Sequence, residues 1–188
     1  CLTRDANAFL SHHIGDLENL ETLESYEDGI AAYRRLFRVD PEVVAYDLHP
    51  EYLATKYARS LPGEKVPVQH HHAHVAAALV EAGVESRVIG VSMDGLGYGD
   101  DGVLWGGEVL VCDLEGYRRV AHLEALPLPG GALAIRKPWR TALGWVVAAL
   151  GPTGLERALS LLARPGPAEE RPSDEEAVAA LVRQVETR

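Results

Sequence analysis

Asp94-Gly95-Leu96-Gly97-Tyr98-Gly99-Asp100-Asp101-Gly102 links one apolar run, Val88–Met93, to another, Val103–Cys112. Four glycines in eight positions let a backbone turn tightly and approach a ligand closely. Successive N–H groups in such a segment can form a nest for phosphates; the same residues also serve as a plain hairpin loop. No Gly-Lys-Ser/Thr follows, so this is not a Walker A loop. A strand rather than a helix follows, so it is not a dinucleotide fingerprint either.

Upstream lies Gln69-His70-His71-His72-Ala73-His74, which packs four of the chain's eight histidines into five positions. His70 and His74 are spaced i, i+4 and share a face of a helix. Asp94, at the end of the Val88–Met93 run, offers a carboxylate as third ligand. Two imidazoles and a carboxylate suit a divalent metal that keeps an open position. A structural or surface role for the histidines is the competing reading. His71 and His72 point to other faces, toward substrate or as supports for the ligands.

The surroundings give the architecture. Ala8–Ile14 reads as a short strand, and Ser25-x-x-Asp28 as a helix start. Tyr26, Ile30, Tyr33 and Phe37 recur at helical spacing until Asp40-Pro41. Val43–Tyr46 is a second strand, and Pro50 suits the first turn of a helix carrying Leu53 and Tyr57. Val66–Gln69 is a third strand, and the His helix closes at Gly83. Strand–helix alternation favours a parallel or mixed sheet. Then Val88–Met93, Val103–Cys112 and Tyr117–Leu126 form an antiparallel meander, turning at Asp113–Gly116. A glycine hairpin between the first two strands of a meander is how actin-like ATPases hold nucleotide phosphates.

The remainder is read as helical. Pro138 begins one helix, Leu155, Leu159 and Leu162 stripe another, and Ser173-x-x-Glu176 caps a last one after a linker at 163–172. His13, in Ser11-His12-His13-Ile14-Gly15-Asp16, and His49, in Asp47-Leu48-His49-Pro50, each follow a strand. Either suits general acid/base work or a loop-forming role. Trp105-Gly106-Gly107-Glu108 marks a bulged, packed strand.

Composition excludes some classes. The net charge of −10 disfavours non-specific nucleic-acid binding. No apolar run nears the roughly 20 residues of a membrane span. Cys1 and Cys112 form no Cys-x-x-Cys motif, and a reducing, cytoplasmic setting is expected. The start, Cys1-Leu2-Thr3-Arg4, reads as that of an excised piece or of part of a longer chain.

Ser11–Asn19, Asp47–Tyr52, Val68–His74, Asp94–Gly102, Leu104–Glu108 and Leu128–Gly131 together resemble the hydrogenase maturation carbamoyltransferases of the HypF type. The resemblance runs from Cys1 to about Trp145 and is loose beyond. It implies an α/β fold: part of an actin-like, ribonuclease-H-like ATPase lobe, with a mixed sheet and helices. Residues 1–85 would form a first lobe with the metal-binding helix, and 86–188 the start of a second with meander, hairpin and helices. The implied reaction moves a carbamoyl group from carbamoyl adenylate to the C-terminal cysteine of a partner maturation protein. Carbamoyl phosphate and ATP would be the sources of that adenylate.

By the same resemblance His70, His74 and Asp94 are ligands of iron or zinc. Gly95, Gly97, Tyr98, Gly99 and Asp101 face the nucleotide, with magnesium as a further cation. His13 and His49 line the same cleft as catalytic candidates. The family's full enzyme also has acylphosphatase-like, zinc-finger-like and adenylate-forming regions, a further glycine-rich segment and a final Asp ligand; all are expected outside this sequence. Alternatives are a non-catalytic interaction module, a metallohydrolase, an O-carbamoyltransferase and a tRNA threonylcarbamoyltransferase. The acidic charge and the Asp94-Gly95-x-Gly97 loop disfavour the last.

Overall fold

A hairpin opens the chain: β1 (Leu2–Arg4) pairs antiparallel with β2 (Asn7–Phe9). The structure, a computed structural model, describes residues 1–17, 19–126, 128, 130–151 and 154. Strand β2 ends at Phe9, so the apolar run Ala8–Ile14 is strand only at its start. Residues 10–17 carry no regular structure, and Gly15 among them has φ 94°.

Helix α1 (Leu20–Phe37) starts five residues before the expected Ser25. Asn19 is its cap: Oδ1 accepts the Thr22 N–H at 2.9 Å. An Asn cap satisfies an orphan N–H as well as Ser does, so the Ser25-x-x-Asp28 pair falls inside the helix. The aromatic stripe does the packing. Phe37 stacks on Phe9 with ring centroids 4.0 Å apart, and Tyr26 meets Tyr57 edge-on at 5.6 Å. Arg38, left-handed at φ 54°, ends the helix.

Next come β3 (Val43–Asp47), α2 (Leu53–Ser60), β4 (Glu64–Val68) and α3 (His70–Ala82). Strands β3 and β4 pair in parallel, as the strand–helix alternation predicts. Pro50 lies in the turn ahead of α2 rather than in its first turn, because Tyr52 is the N-cap. Gln69 is not strand but the N-cap of α3, and Gly83, at φ 64°, closes that helix.

The meander follows: β5 (Val88–Ser92), the two-residue strands β6 (Gly97–Tyr98) and β7 (Leu104–Trp105), then β8 (Glu108–Cys112) and β9 (Tyr117–His122). The main sheet runs β5-β8-β9, antiparallel throughout, while β6 and β7 pair separately. The expected single strand Val103–Cys112 is therefore two. Gly106 and Gly107 break it: Gly107 has φ 72°, and a Cβ at Gly106 would sit 2.7 Å from the Gly95 carbonyl oxygen. The glycine pair lets the chain leave β7 and step into the main sheet.

Alternation along β8 buries Glu108, Leu110 and Cys112 on one face. Val75 and Leu79 of α3 pack there, with Val84, Val88 and Tyr117 at the margin. Gly90 makes the helix–sheet contact close, since a Cβ on it would lie 2.6 Å from Val75. Each fully buried aliphatic side chain contributes about 1.5–3 kcal/mol, which ties α3 firmly to the sheet.

By its contacts the chain divides into two units, Cys1–Leu123 and Glu124–Arg188. In the second, α4 (Ala132–Arg136) is a short turn of helix not expected from the sequence. Helix α5 (Pro138–Leu150) begins at Pro138 as predicted, with Trp139, Leu143 and Val147 buried along one side. The expected leucine stripe from Leu155, the linker at 163–172 and the helix after Ser173 lie outside the described residues. No helix among the described residues is long and apolar enough to cross a membrane.

Candidate metal centre

Gln69 decides where α3 starts, and so where its histidines point. Its side-chain Oε1 accepts the His72 N–H at 2.9 Å. One turn then carries His70 and His74 on the same face, their Nε2 atoms 3.3 Å apart. Strand β5 ends at Ser92, and Asp94 lies two residues on. Its Oδ2 is 2.9 Å from His70 Nε2 and 3.7 Å from His74 Nε2. The three sequence-predicted ligands thus converge from two elements.

Asp47 completes the arrangement. As the last residue of β3 it lies opposite Val68, the last residue of β4, so it faces the first turn of α3. Its Oδ2 is 2.6 Å from His70 Nδ1. An imidazole that donates Nδ1–H to a carboxylate presents a lone pair at Nε2. His70 Nε2 and the Asp94 carboxylate are then both acceptors at 2.9 Å, with His74 Nε2 beside them, an arrangement that a cation or a proton between them satisfies. Their separations of 2.9, 3.3 and 3.7 Å bracket the roughly 3.3 Å edge of a tetrahedron with metal–ligand bonds of about 2.05 Å. The donor set suits zinc or iron, nitrogen and oxygen ligands with room for one more.

His71, fully buried, lies behind the triad, with Nε2 at 4.0 Å from Asp94 Oδ2. Because Gln69 Oε1 is the acceptor at the cap, its amide nitrogen is a donor. It serves Tyr98 O at 3.3 Å and His71 Nδ1 at 3.2 Å. The His71 proton therefore sits on Nε2, toward Asp94. Burial pushes its imidazole below the ordinary range, so the ring is held neutral. His72 turns away to the Asp113 carbonyl, 2.8 Å from its Nε2.

The hairpin packs on this helix turn. A Cβ on Gly97 would lie 2.5 Å from His71 and 2.9 Å from His70, so only glycine allows β6 to lie there. A Cβ on Gly99 would lie 2.1 Å from the Trp105 indole nitrogen. Gly95 has open space on its Cβ side. Asp101 Oδ1 accepts the Trp105 indole N–H at 2.9 Å and the Val103 N–H at 3.2 Å. The tip of the hairpin is tied to the body by Tyr117, whose hydroxyl donates to Asp100.

His49 stands beside the cluster. Its N–H donates to Asp47 Oδ1 at 2.7 Å, and its ring stacks on Tyr52 at 4.0 Å and meets Tyr98 edge-on at 5.3 Å. Its Nδ1 accepts the Glu51 N–H at 3.2 Å, which leaves the proton on Nε2. Burial, then the charges of Asp47 and Asp94, push the Tyr52 phenol above its usual range. His13 is exposed on the irregular stretch 10–17, and among the described residues no hydrogen bond or ring contact joins it to the cluster. The sequence reading did not single out Asp47 or Gln69 as site residues. A carboxylate at the end of a strand, paired in parallel with the strand that feeds the His helix, is the signal for the first.

Residues 1–81 match the family described as HypF Kae1-like domain, and residues 90–187 that described as carbamoyltransferase, Kae1-like domain, second subdomain. The chain belongs to the HypF family. Carbamoyltransferase HypF2 of Cupriavidus necator is 47% identical over 146 residues, which are 76% of this chain and 18% of the relative. Carbamoyltransferase HypF of Rhizobium leguminosarum bv. viciae is 43% identical over 149 residues, 79% of this chain and 20% of the relative. The crystal structure of full-length HypF in the phosphate- and nucleotide-bound form matches with a TM-score of 0.79 at 44% identity, covering 94% of this chain and 22% of that one. The structure of T. kodakarensis HypF matches with a TM-score of 0.74 at 34% identity, covering 93% and 24%. The chain thus spans about a fifth of the length of these HypF relatives. Its mixed α/β architecture is that of part of an actin-like, Kae1-like lobe, as the sequence led one to expect.

Proposed function

We propose that this chain is the carbamoyl-transfer lobe of a hydrogenase maturation enzyme. The donor is carbamoyl adenylate, made from carbamoyl phosphate and ATP, and the acceptor is the C-terminal cysteine thiolate of a partner protein. One observation carries the reading: the His70–His74–Asp94 triad and the glycine hairpin rest on the same turn of α3. HypF relatives bear the name carbamoyltransferase, and one HypF structure is described as phosphate- and nucleotide-bound.

His70, His74 and Asp94 would hold iron or zinc, with Asp47 orienting the His70 ring. When bound, the metal supplies Lewis-acid polarisation of a phosphate or carbamoyl oxygen. Gly95, Gly97, Tyr98 and Gly99 would face the phosphate as a close-approach hairpin, the Gly99 N–H being already given to the Val103 carbonyl at 2.8 Å, and magnesium can accompany the nucleotide there. His49 holds its proton at Nε2 and can donate a hydrogen bond from there. In the transfer the thiolate attacks the carbamoyl carbon and a C–S bond forms. The bond from that carbon to the adenylate oxygen breaks, and AMP leaves with the electron pair. The acceptor thiol comes from the partner, since Cys112 is buried and Cys1 lies outside the motifs.

The test is transfer in the intact protein. His70→Ala or His74→Ala should abolish carbamoylation of the partner's cysteine, read by mass spectrometry. Near-normal transfer by either variant would overturn the assignment.

A further inference from the structure

Glu108 is a fully buried carboxylate with a role the sequence left open. It accepts from the Gly106 N–H at 2.9 Å and takes both Arg119 Nε, at 2.6 Å, and Arg119 Nη2, at 2.9 Å. The guanidinium in turn lies over the Trp105 ring, 4.0 Å from its centroid. Trp105 closes the chain of contacts through its indole N–H on Asp101. A short series of polar contacts therefore runs from β9 to the hairpin tip.

A bulge makes this possible. Along β8 and β9, Val109 lies opposite Ala121 but Leu110 lies opposite Arg119, so Val120 is the extra residue. In an unbroken register Arg119 would oppose Val111, on the other face of the sheet. The bulge instead brings it opposite Leu110, on the buried face that carries Glu108. Bulges re-aim side chains in this way near functional sites. The same corner also fixes Asp94: the Gly107 N–H donates to the Asp94 carbonyl at 3.1 Å, and Gly106 sits against Gly95.

We propose that Arg119, aimed inward by the Val120 bulge and held by Glu108, is a positioning residue that sets the phosphate-facing conformation of the glycine hairpin through Trp105. This rests on the nucleotide role given to the hairpin above. Arg119 touches neither metal ligand side chains nor the open side of Gly95, so it acts through the indole. Lysine cannot replace it, because an ammonium lacks the flat face that covers the ring and the fork that grips the carboxylate.

The test uses the intact protein. Arg119→Met alone leaves a buried unpaired charge and invites unfolding, so the main variant is the pair Glu108→Gln with Arg119→Met. The introduced glutamine can still accept from the Gly106 N–H, and the introduced methionine fills the guanidinium's space without its flat stacking on the indole or its grip on residue 108. Three quantities are read: the KM for carbamoyl adenylate against kcat of transfer, the metal content per chain, and solvent exchange of the Trp105 indole proton by NMR. The expected result is a KM raised about tenfold with kcat changed less than about threefold, unchanged metal content, and faster indole exchange. Arg119→Lys should show the same KM defect. Indole exchange equal to wild type overturns the proposal, as does a KM change matched step for step by metal loss. If the wild-type protein transfers no carbamoyl group from supplied carbamoyl adenylate, the nucleotide reading falls. The indole proton then still decides whether Arg119 sets the hairpin.

Discussion

Asp47 Oδ2 lies 2.6 Å from Nδ1 of His70, although 23 residues separate them. The contact fixes which ring nitrogen faces Asp94 and His74. Asp47→Asn should weaken zinc affinity about 10–100-fold. The fold should remain intact, since the introduced amide oxygen can still accept the His49 N–H. Chelator competition measures the affinity, and an unchanged value would deny Asp47 its orienting role.

Gly97 and Gly95 should answer differently to alanine. A Cβ on Gly97 meets His70 and His71, so Gly97→Ala should cost about 1–3 kcal/mol and displace the hairpin. Gly95→Ala meets nothing, so its stability should stay within about 0.5 kcal/mol of wild type. Weaker ATP binding by Gly95→Ala at unchanged stability then reports on the ligand itself. Chemical denaturation and calorimetric titration separate the two effects.

Leu110 is fully buried at the centre of β8, against α3. Leu110→Ala should cost about 2–5 kcal/mol, measured as a shift in the urea midpoint.

Asp113 shapes the turn between β8 and β9. Accepting the Glu115 and Gly116 N–H groups, and then pairing with Arg87, holds its carboxyl below the usual range. The unfolded chain therefore takes up the proton first, near pH 3.9. Stability from this group is present above that pH and is lost as pH falls through the native value. Asp113→Asn keeps an oxygen for the turn and abolishes the titration. Its acid unfolding curve should be flatter than that of wild type below about pH 4.

The legible parts of the fold and site were those governed by local spacing. His70 and His74 are one helical turn apart, so their shared face follows from periodicity; Asp94 was legible as a candidate beyond an apolar strand, and it meets them because α3 packs on that strand. Gly83 and Pro138 marked helix ends for reasons of backbone conformation. What stayed hidden depends on pairing across the chain. Asp47 reaches His70 only because β3 and β4 align in parallel, and Arg119 reaches Glu108 only because one residue bulges. The run Val103–Cys112 reads as one strand by hydropathy, yet Gly106 must pass against Gly95, a close approach no periodicity reports. At Ala8–Ile14 apolar composition suggested a strand without a partner to pair it.

Gln69 spends its whole amide group: the oxygen on the α3 cap, the nitrogen on Tyr98 and His71. A Glu would cap the helix and repel the Tyr98 carbonyl; a Ser would cap it and fall short of the hairpin. No single exchange preserves both contacts. The helix start and the hairpin are therefore inherited as one unit, and substitutions in either should prove strongly epistatic with substitutions in the other.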